Sequence, residues 1–194
     1  LHHAWVLSRL VIEMSEMPCS GDAFSIKTWV DRLYRQFTDR HFSILRPDGT
    51  AYGHATSIWA LIDTQTRQPA DLEKLPNGGF SDTLIPDEPS PIPTMGRMRM
   101  KSPTLVNTHK AAYSDLDING HVNSIRYIEL LLDFFDANEL KAHPVRRVEM
   151  AYCLESYCGD ELQIYHDIDA KNDKRHLFEI KKDESIIVKG SIEF

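Results

Sequence analysis

The segment Asp115 to Arg126, DLDINGHVNSIR, concentrates side chains that bind metal, hold water or move protons. Asp115, Asp117, Asn119 and Gly120 fill the first, third, fifth and sixth places of a calcium loop of the helix–loop–helix type. The twelfth place of such a loop supplies a bidentate glutamate. Here it is Arg126, a cation that repels any divalent ion at coordinating range, and no clear helix leads into Asp115. Calcium binding is therefore disfavoured. Asp, Asn and Gly in this density also make a tight turn, through side-chain bonds to the backbone and positive φ. The turn carries His121 to the expected start of a helix, where outward backbone N–H groups favour an anion.

Other reactive residues point to no second chemistry. Cys19, Cys153 and Cys158 form no C-x-x-C pair and are odd in number, which fits a reducing, cytoplasmic setting better than a disulfide framework. Unpaired cysteines are more often inert packing residues than nucleophiles. The histidines His2, His3, His41, His54, His143, His166 and His176 show no zinc-like spacing with a carboxylate, so neither a metal nor a cofactor is expected. A net charge of −7 argues against sequence-independent nucleic-acid binding. No apolar run approaches the ~20 residues of a membrane span.

Elements that could position this loop emerge from repetition along the chain. Val11–Ile12–Glu13–Met14 followed by Gly21–Asp22 is echoed by Val148–Glu149–Met150 followed by Gly159–Asp160, and Arg40–His41–Phe42 by Arg175–His176–Leu177, at offsets of 135 to 138 residues. Alternating apolar residues follow each Gly–Asp, Phe24 and Ile26 in one half, Leu162 and Ile164 in the other. Each half ends in a strand-like run, His54 to Ile62 and Ser185 to Phe194. In the latter Ile186, Val188, Ile192 and Phe194 share a face, the pattern of a half-buried strand. Between the halves, Pro76, Pro86, Pro89, Pro91, Pro93, Pro103 and Gly78–Gly79 mark a linker.

The second half alone has room for a helix before its Val–Glu–Met strand. Val122, Ile125, Ile128, Leu132 and Phe135 recur at helical spacing, and Asn123 or Asn119 could cap them. The expected architecture is α+β: residues 1–73 as a first strand-rich unit, 74–103 as linker, and 104–194 as a second unit of about five or six strands wrapped on one helix. The first unit is expected to lack a matching N-terminal strand and helix.

The stretch SDLDINGHVNSIRYIE, Ser114 to Glu129, resembles the signature of acyl-acyl-carrier-protein thioesterases of plants and bacteria. Tyr152–Cys153–Leu154–Glu155 is similar to that family's Y-x-x-E, with Glu155 lying 34 residues after His121. AWVLSRLVIEM, the following GD and TW, and SIWALIDTQTRQP resemble the family's first unit. The resemblance implies a tandem, or double, hot-dog fold, with curved antiparallel sheets each wrapping a central helix. It also implies hydrolysis of acyl-acyl carrier protein, which releases fatty acid and ends chain elongation.

By the same resemblance the catalytic set falls on Asp117, Asn119, His121 and Glu155. Glu155, on the strand, would act as base or nucleophile, His121 would orient water or donate to the thioester oxygen, Asn119 would hold water, and Asp117 would fix Asn119 or the His121 tautomer. Where plant relatives place a cysteine after the glutamate, this chain has Ser156. Acyl-coenzyme A hydrolysis and a non-catalytic acyl-binding role are the alternatives. The acidic carrier protein would dock on local positives such as Arg97, Arg99 and Lys101, or Arg146 and Arg147. Sheet edges of this kind also lead us to expect a homo-oligomer.

Overall fold

The computed structural model describes residues 2–74, 84 and 88–194. Contacts divide the chain into Leu1–Met95 and Gly96–Phe194. Of the expected linker, Pro76, Gly78, Gly79 and Pro86 lie outside the described residues. From 88 to 103 the backbone forms neither helix nor strand, as a proline at every second position from Pro89 to Pro93 dictates by removing backbone donors.

The first unit comprises β1 (His3–Met14), β2 (Ser25–Leu33), β3 (Phe37–Leu45) and β4 (Ala51–Asp63), ordered β2-β3-β4-β1 and antiparallel throughout. The second comprises β5 (Thr104–Lys110), α1 (Ser124–Leu132), α2 (Ala137–Ala142), β6 (Arg147–Tyr152), β7 (Glu161–Asp169), β8 (Asn172–Lys182) and β9 (Ser185–Glu193), ordered β6-β9-β8-β7-β5. The repeats in the sequence thus have a topological basis: β1, β2, β3 and β4 connect and pair as β6, β7, β8 and β9 do. Among the described residues the units have four and five strands, within the expected five or six for the second and one fewer for the first. No α-helix occurs in the described part of the first unit.

The recurring Gly–Asp is one turn built twice. Asp22 Oδ2 accepts from the Cys19 amide at 2.8 Å, and Asp160 Oδ2 accepts from the Tyr157 amide at 2.9 Å. Both turns close through an Asp amide on the carbonyl three residues back, at 3.1 Å in each. Gly21 and Gly159 supply φ of 95° and 89°, the region where a side chain would crowd the backbone.

In the second unit the core is Met150, Leu162, Ile164, Leu177, Phe178, Ile180, Val188 and Ile192, covered by Tyr127, Leu130 and Leu131 of α1. Burying a side chain such as Leu131 contributes about 2 kcal/mol. The helix begins where expected, with Asn123 Oδ1 accepting from the Ile125 amide at 2.9 Å, but its buried face is rotated from the expected stripe. Ile125 is 54% exposed and Ile128 and Leu132 are half-buried. The reason is Tyr127, whose hydroxyl pairs with buried Ser156 at 2.6 Å, so an apparently polar position faces inward. A Cβ on Gly190 would lie 2.4 Å from Leu131 Cδ2, so the glycine that interrupts the β9 pattern is where the helix seats.

Strand β9 is not half-buried. It lies between β6 and β8, and Ile187, Val188, Ser191 and Ile192 are all buried. The β2 alternation also fails in part: Ile26 is exposed while Trp29 and Val30 are buried. The glutamate of Val148–Glu149–Met150 is 2% exposed and is held by Arg147 at 2.9 Å, by Arg175, by Ser191 Oγ at 3.1 Å and by the Gly96 amide at 3.0 Å. Burial favours its protonation, but those donors outweigh it and hold the carboxyl below the usual range.

Candidate active site

Strand β5 hands the chain to the Asp-rich loop through paired backbone bonds. The Ala111 amide donates to the Asp160 carbonyl at 2.8 Å and the Gly159 amide to the Ala111 carbonyl at 2.7 Å. Asp115 then turns inward, 5% exposed. Its Oδ2 takes His109 Nε2 and the Ala112 amide, each at 2.7 Å, and its Oδ1 lies 2.9 Å from Arg126 Nε. The guanidinium approaches off its N–H axis, since Nε makes no directed hydrogen bond, so this is a charge contact. Burial pushes the Asp115 carboxyl up, yet the Ala112 amide and His109 pull it net below its ordinary value. An anchored aspartate paired to Arg126 is a brace and no calcium ligand.

Asp117 organises the next turn. Its Oδ1 accepts from the amides of Asn119 at 2.8 Å and His121 at 3.2 Å, and its Oδ2 faces Asn119 Nδ2 at 3.5 Å. Burial raises its carboxyl, but the two amides outweigh this and depress it overall. Asp117 therefore holds the backbone of the turn through the Asn119 and His121 amides.

A second loop, Cys153 to Ser156, carries Glu155. Both the Cys153 and Leu154 amides donate to the Ile187 carbonyl, at 2.8 and 3.2 Å, where the β8–β9 register shifts and frees that carbonyl to face the loop. The two loops then pair: His121 and Tyr157 form an antiparallel bridge, and the Val122 amide donates to the Ser156 carbonyl at 2.8 Å. Across this bridge His121 Nε2 lies 3.6 Å from Glu155 Oε2, both side chains 27% exposed. Glu155 thus sits in the loop after β6, not on the strand, because β6 ends at Tyr152.

Tyr157 completes the cluster. Its hydroxyl donates to Glu155 Oε2 at 3.2 Å, and its ring stands edge-on to His121 with centroids 5.2 Å apart. A pocket of about 360 Å³ opens here, lined by Leu154, Glu155, Tyr157, Lys182, Asp183, Ser185 and Ile187. Of the four expected residues, His121 and Glu155 face each other, while Asp117 and Asn119 form the turn that presents His121. Sequence reasoning missed Tyr157, which no spacing marks, and His109, whose partner is six residues on. Ser156 is fully buried against Tyr127. Cys19, Cys153 and Cys158 are exposed thiols outside any disulfide.

A helix seated on an antiparallel sheet is shared with solved structures. The chain superposes on a 12:0-ACP thioesterase from Umbellularia californica with a TM-score of 0.79 at 17% identity, covering 99% of this chain and 76% of that one. It superposes on an acyl-ACP thioesterase from Bacteroides thetaiotaomicron with a TM-score of 0.89 at 44% identity, covering 100% and 77%. The fold is the hot-dog fold of those proteins.

Family models narrow this further, since the acyl-ACP thioesterase N-terminal domain matches residues 1–75 and the C-terminal domain residues 99–194. Oleoyl-acyl carrier protein thioesterase 1 of Arabidopsis thaliana is 30% identical over 173 residues, 82% of this chain. The chain belongs to the acyl-ACP thioesterase family. It spans 47% of the length of that Arabidopsis relative.

Proposed function

We propose that this chain hydrolyses the thioester of acyl-acyl carrier protein and releases the free fatty acid, which ends chain elongation. Family membership supports the substrate class. The observation that carries the chemistry is the 3.6 Å approach of His121 Nε2 to Glu155 Oε2. A water molecule can sit about 2.8 Å from both atoms, in contact with a base and held by a ring nitrogen.

In this reading Glu155 takes a proton as the water oxygen attacks the thioester carbonyl. The carbonyl oxygen becomes anionic and needs donors, which His121 and the exposed Asn119 amide supply. Collapse of the tetrahedral species breaks the C–S bond, and the proton held by Glu155 leaves with the thiolate as thiol. Asp117 keeps Asn119 and His121 in register. The groups assigned to proton transfer and oxyanion binding are side chains of this polypeptide.

Docking of the acidic carrier protein is assigned to Arg97, Arg99 and Lys101, which are exposed. Arg147 is drawn onto buried Glu149 and is withdrawn from that role. Strand β5 pairs only with β7 among the described strands, which supports a homo-oligomer built on its other edge; light scattering checks this. Exposed thiols support a cytoplasmic, reducing setting. Hydrolysis is tested with acyl-acyl carrier proteins of graded chain length, each competed against its coenzyme A thioester. Turnover of the carrier-protein series is expected, and a folded protein that cleaves neither series would overturn the proposal.

A further inference from the structure

We infer that Tyr157 is a positioning residue for the base, a role resting on the hydrolytic reading of Glu155 given above. Its hydroxyl donates to Glu155 Oε2 at 3.2 Å, the same oxygen that faces His121 Nε2 at 3.6 Å. Tyr157 is 48% exposed, so packing alone does not call for an aromatic here. Its backbone is fixed from three sides: by the bridge to His121, by its amide on Asp160 Oδ2 at 2.9 Å, and by the Asp160 amide on its carbonyl at 3.1 Å. Asp160 is in turn tied to Lys182 Nζ at 2.7 Å. A phenol fixed that firmly and aimed at a carboxylate oxygen determines which way the carboxylate points. It leaves Oε2 directed at the water shared with His121.

Donation to the ionised carboxylate also favours its charged form. The charged and titratable groups around Glu155 are His121 from the first loop, Tyr127 from α1, Asp160 in the following turn, and Lys182 and Asp183 from the β8–β9 hairpin. Replacing Tyr157 by phenylalanine removes none of these groups and keeps the ring edge against His121. It takes away the phenol that donates to Glu155 and also bears on Lys182.

The test is Tyr157→Phe, read by the pH dependence of kcat/KM on an acyl-acyl carrier protein and by ¹³C NMR titration of the Glu155 carboxyl. The expected result is an acid limb moved to higher pH, a lower kcat with KM unchanged, and a carboxyl titration moved the same way. Unchanged limb and titration in a folded variant would overturn the inference. Should the unaltered protein cleave no thioester, the hydrolytic reading fails by itself. The carboxyl titration still decides whether Tyr157 holds Glu155.

Discussion

At the scale of single residues, Glu155 and His121 differ in what their removal should cost. In the proposed reaction Glu155 takes the proton, so Glu155→Gln, which keeps the shape and loses the base, is expected to lower kcat by about 10² to 10⁴, the usual worth of positioned acid–base help. His121→Ala removes a donor and a water ligand and should cost at least about tenfold by the same reasoning. Steady-state kinetics on folded variants checks both, and near-normal rates in the two would refute the pairing. Whether Glu155 is base or nucleophile is read by a single turnover in H₂¹⁸O. A base delivers label into the fatty acid and forms no acyl-enzyme; a nucleophile forms an acyl-Glu155 anhydride, detected by rapid quench and mass spectrometry, and places label in its own carboxyl when water opens that anhydride at the glutamyl carbon. The 3.6 Å gap to His121, suited to a shared water, favours the first.

At the scale of elements, the loop before α1 is held by a residue that does no chemistry. Asp115 collects His109, Arg126 and the Ala112 amide in a buried site, and its carbonyl accepts from the Asn123 amide at 2.8 Å, so one residue ties β5, the loop and the helix start together. Breaking a buried charge pair from one side costs about 3 kcal/mol, and Asp115→Asn is expected to lose that amount at neutral pH. The folded carboxyl lies below its ordinary value, so its contribution is complete above the usual carboxylate range and is lost as pH falls through the lower, folded value. Urea unfolding of both proteins should therefore show a gap that narrows on acidification, and a gap independent of pH would assign the loss to packing.

The sequence made the Asp117–His121 loop, the Asn123 cap and the strand repeats legible because each depends on local spacing. It misplaced Glu155 on a strand because the end of β6 is set by where β9 bulges, a contact more than thirty residues away. It rotated the buried face of α1 because Tyr127 becomes an inward residue only through Ser156. Glu149 looked like an ordinary strand position because two of its partners, Arg175 and Ser191, lie in other strands. Periodicity reports which residues can share a face, whereas partners distant in sequence decide which face is buried.

At the scale of the whole molecule, one strand-and-turn plan serves two units with different duties. Gly21 and Gly159 occupy the same turn, at φ of 95° and 89°, and no atom lies within 4 Å of a Cβ built on either. Alanine at either position therefore meets no clash and carries only the backbone cost of a left-handed residue, about 1 kcal/mol. Gly21→Ala and Gly159→Ala should lower stability by similar amounts in chemical denaturation. Their effects on turnover should part company. The second turn begins at Tyr157 and closes on Asp160, so strain at Gly159 reaches the phenol on Glu155 and the bridge to His121, and kcat should fall several-fold. The first turn begins at Cys19, and Gly21→Ala should leave turnover within about twofold, since a 1 kcal/mol loss leaves most molecules folded. Equal losses of kcat in both variants would mean that the catalytic geometry answers to global stability and not to the local turn. A loss confined to Gly159→Ala would assign the chemistry to the second unit's copy of a device that the first keeps for folding alone.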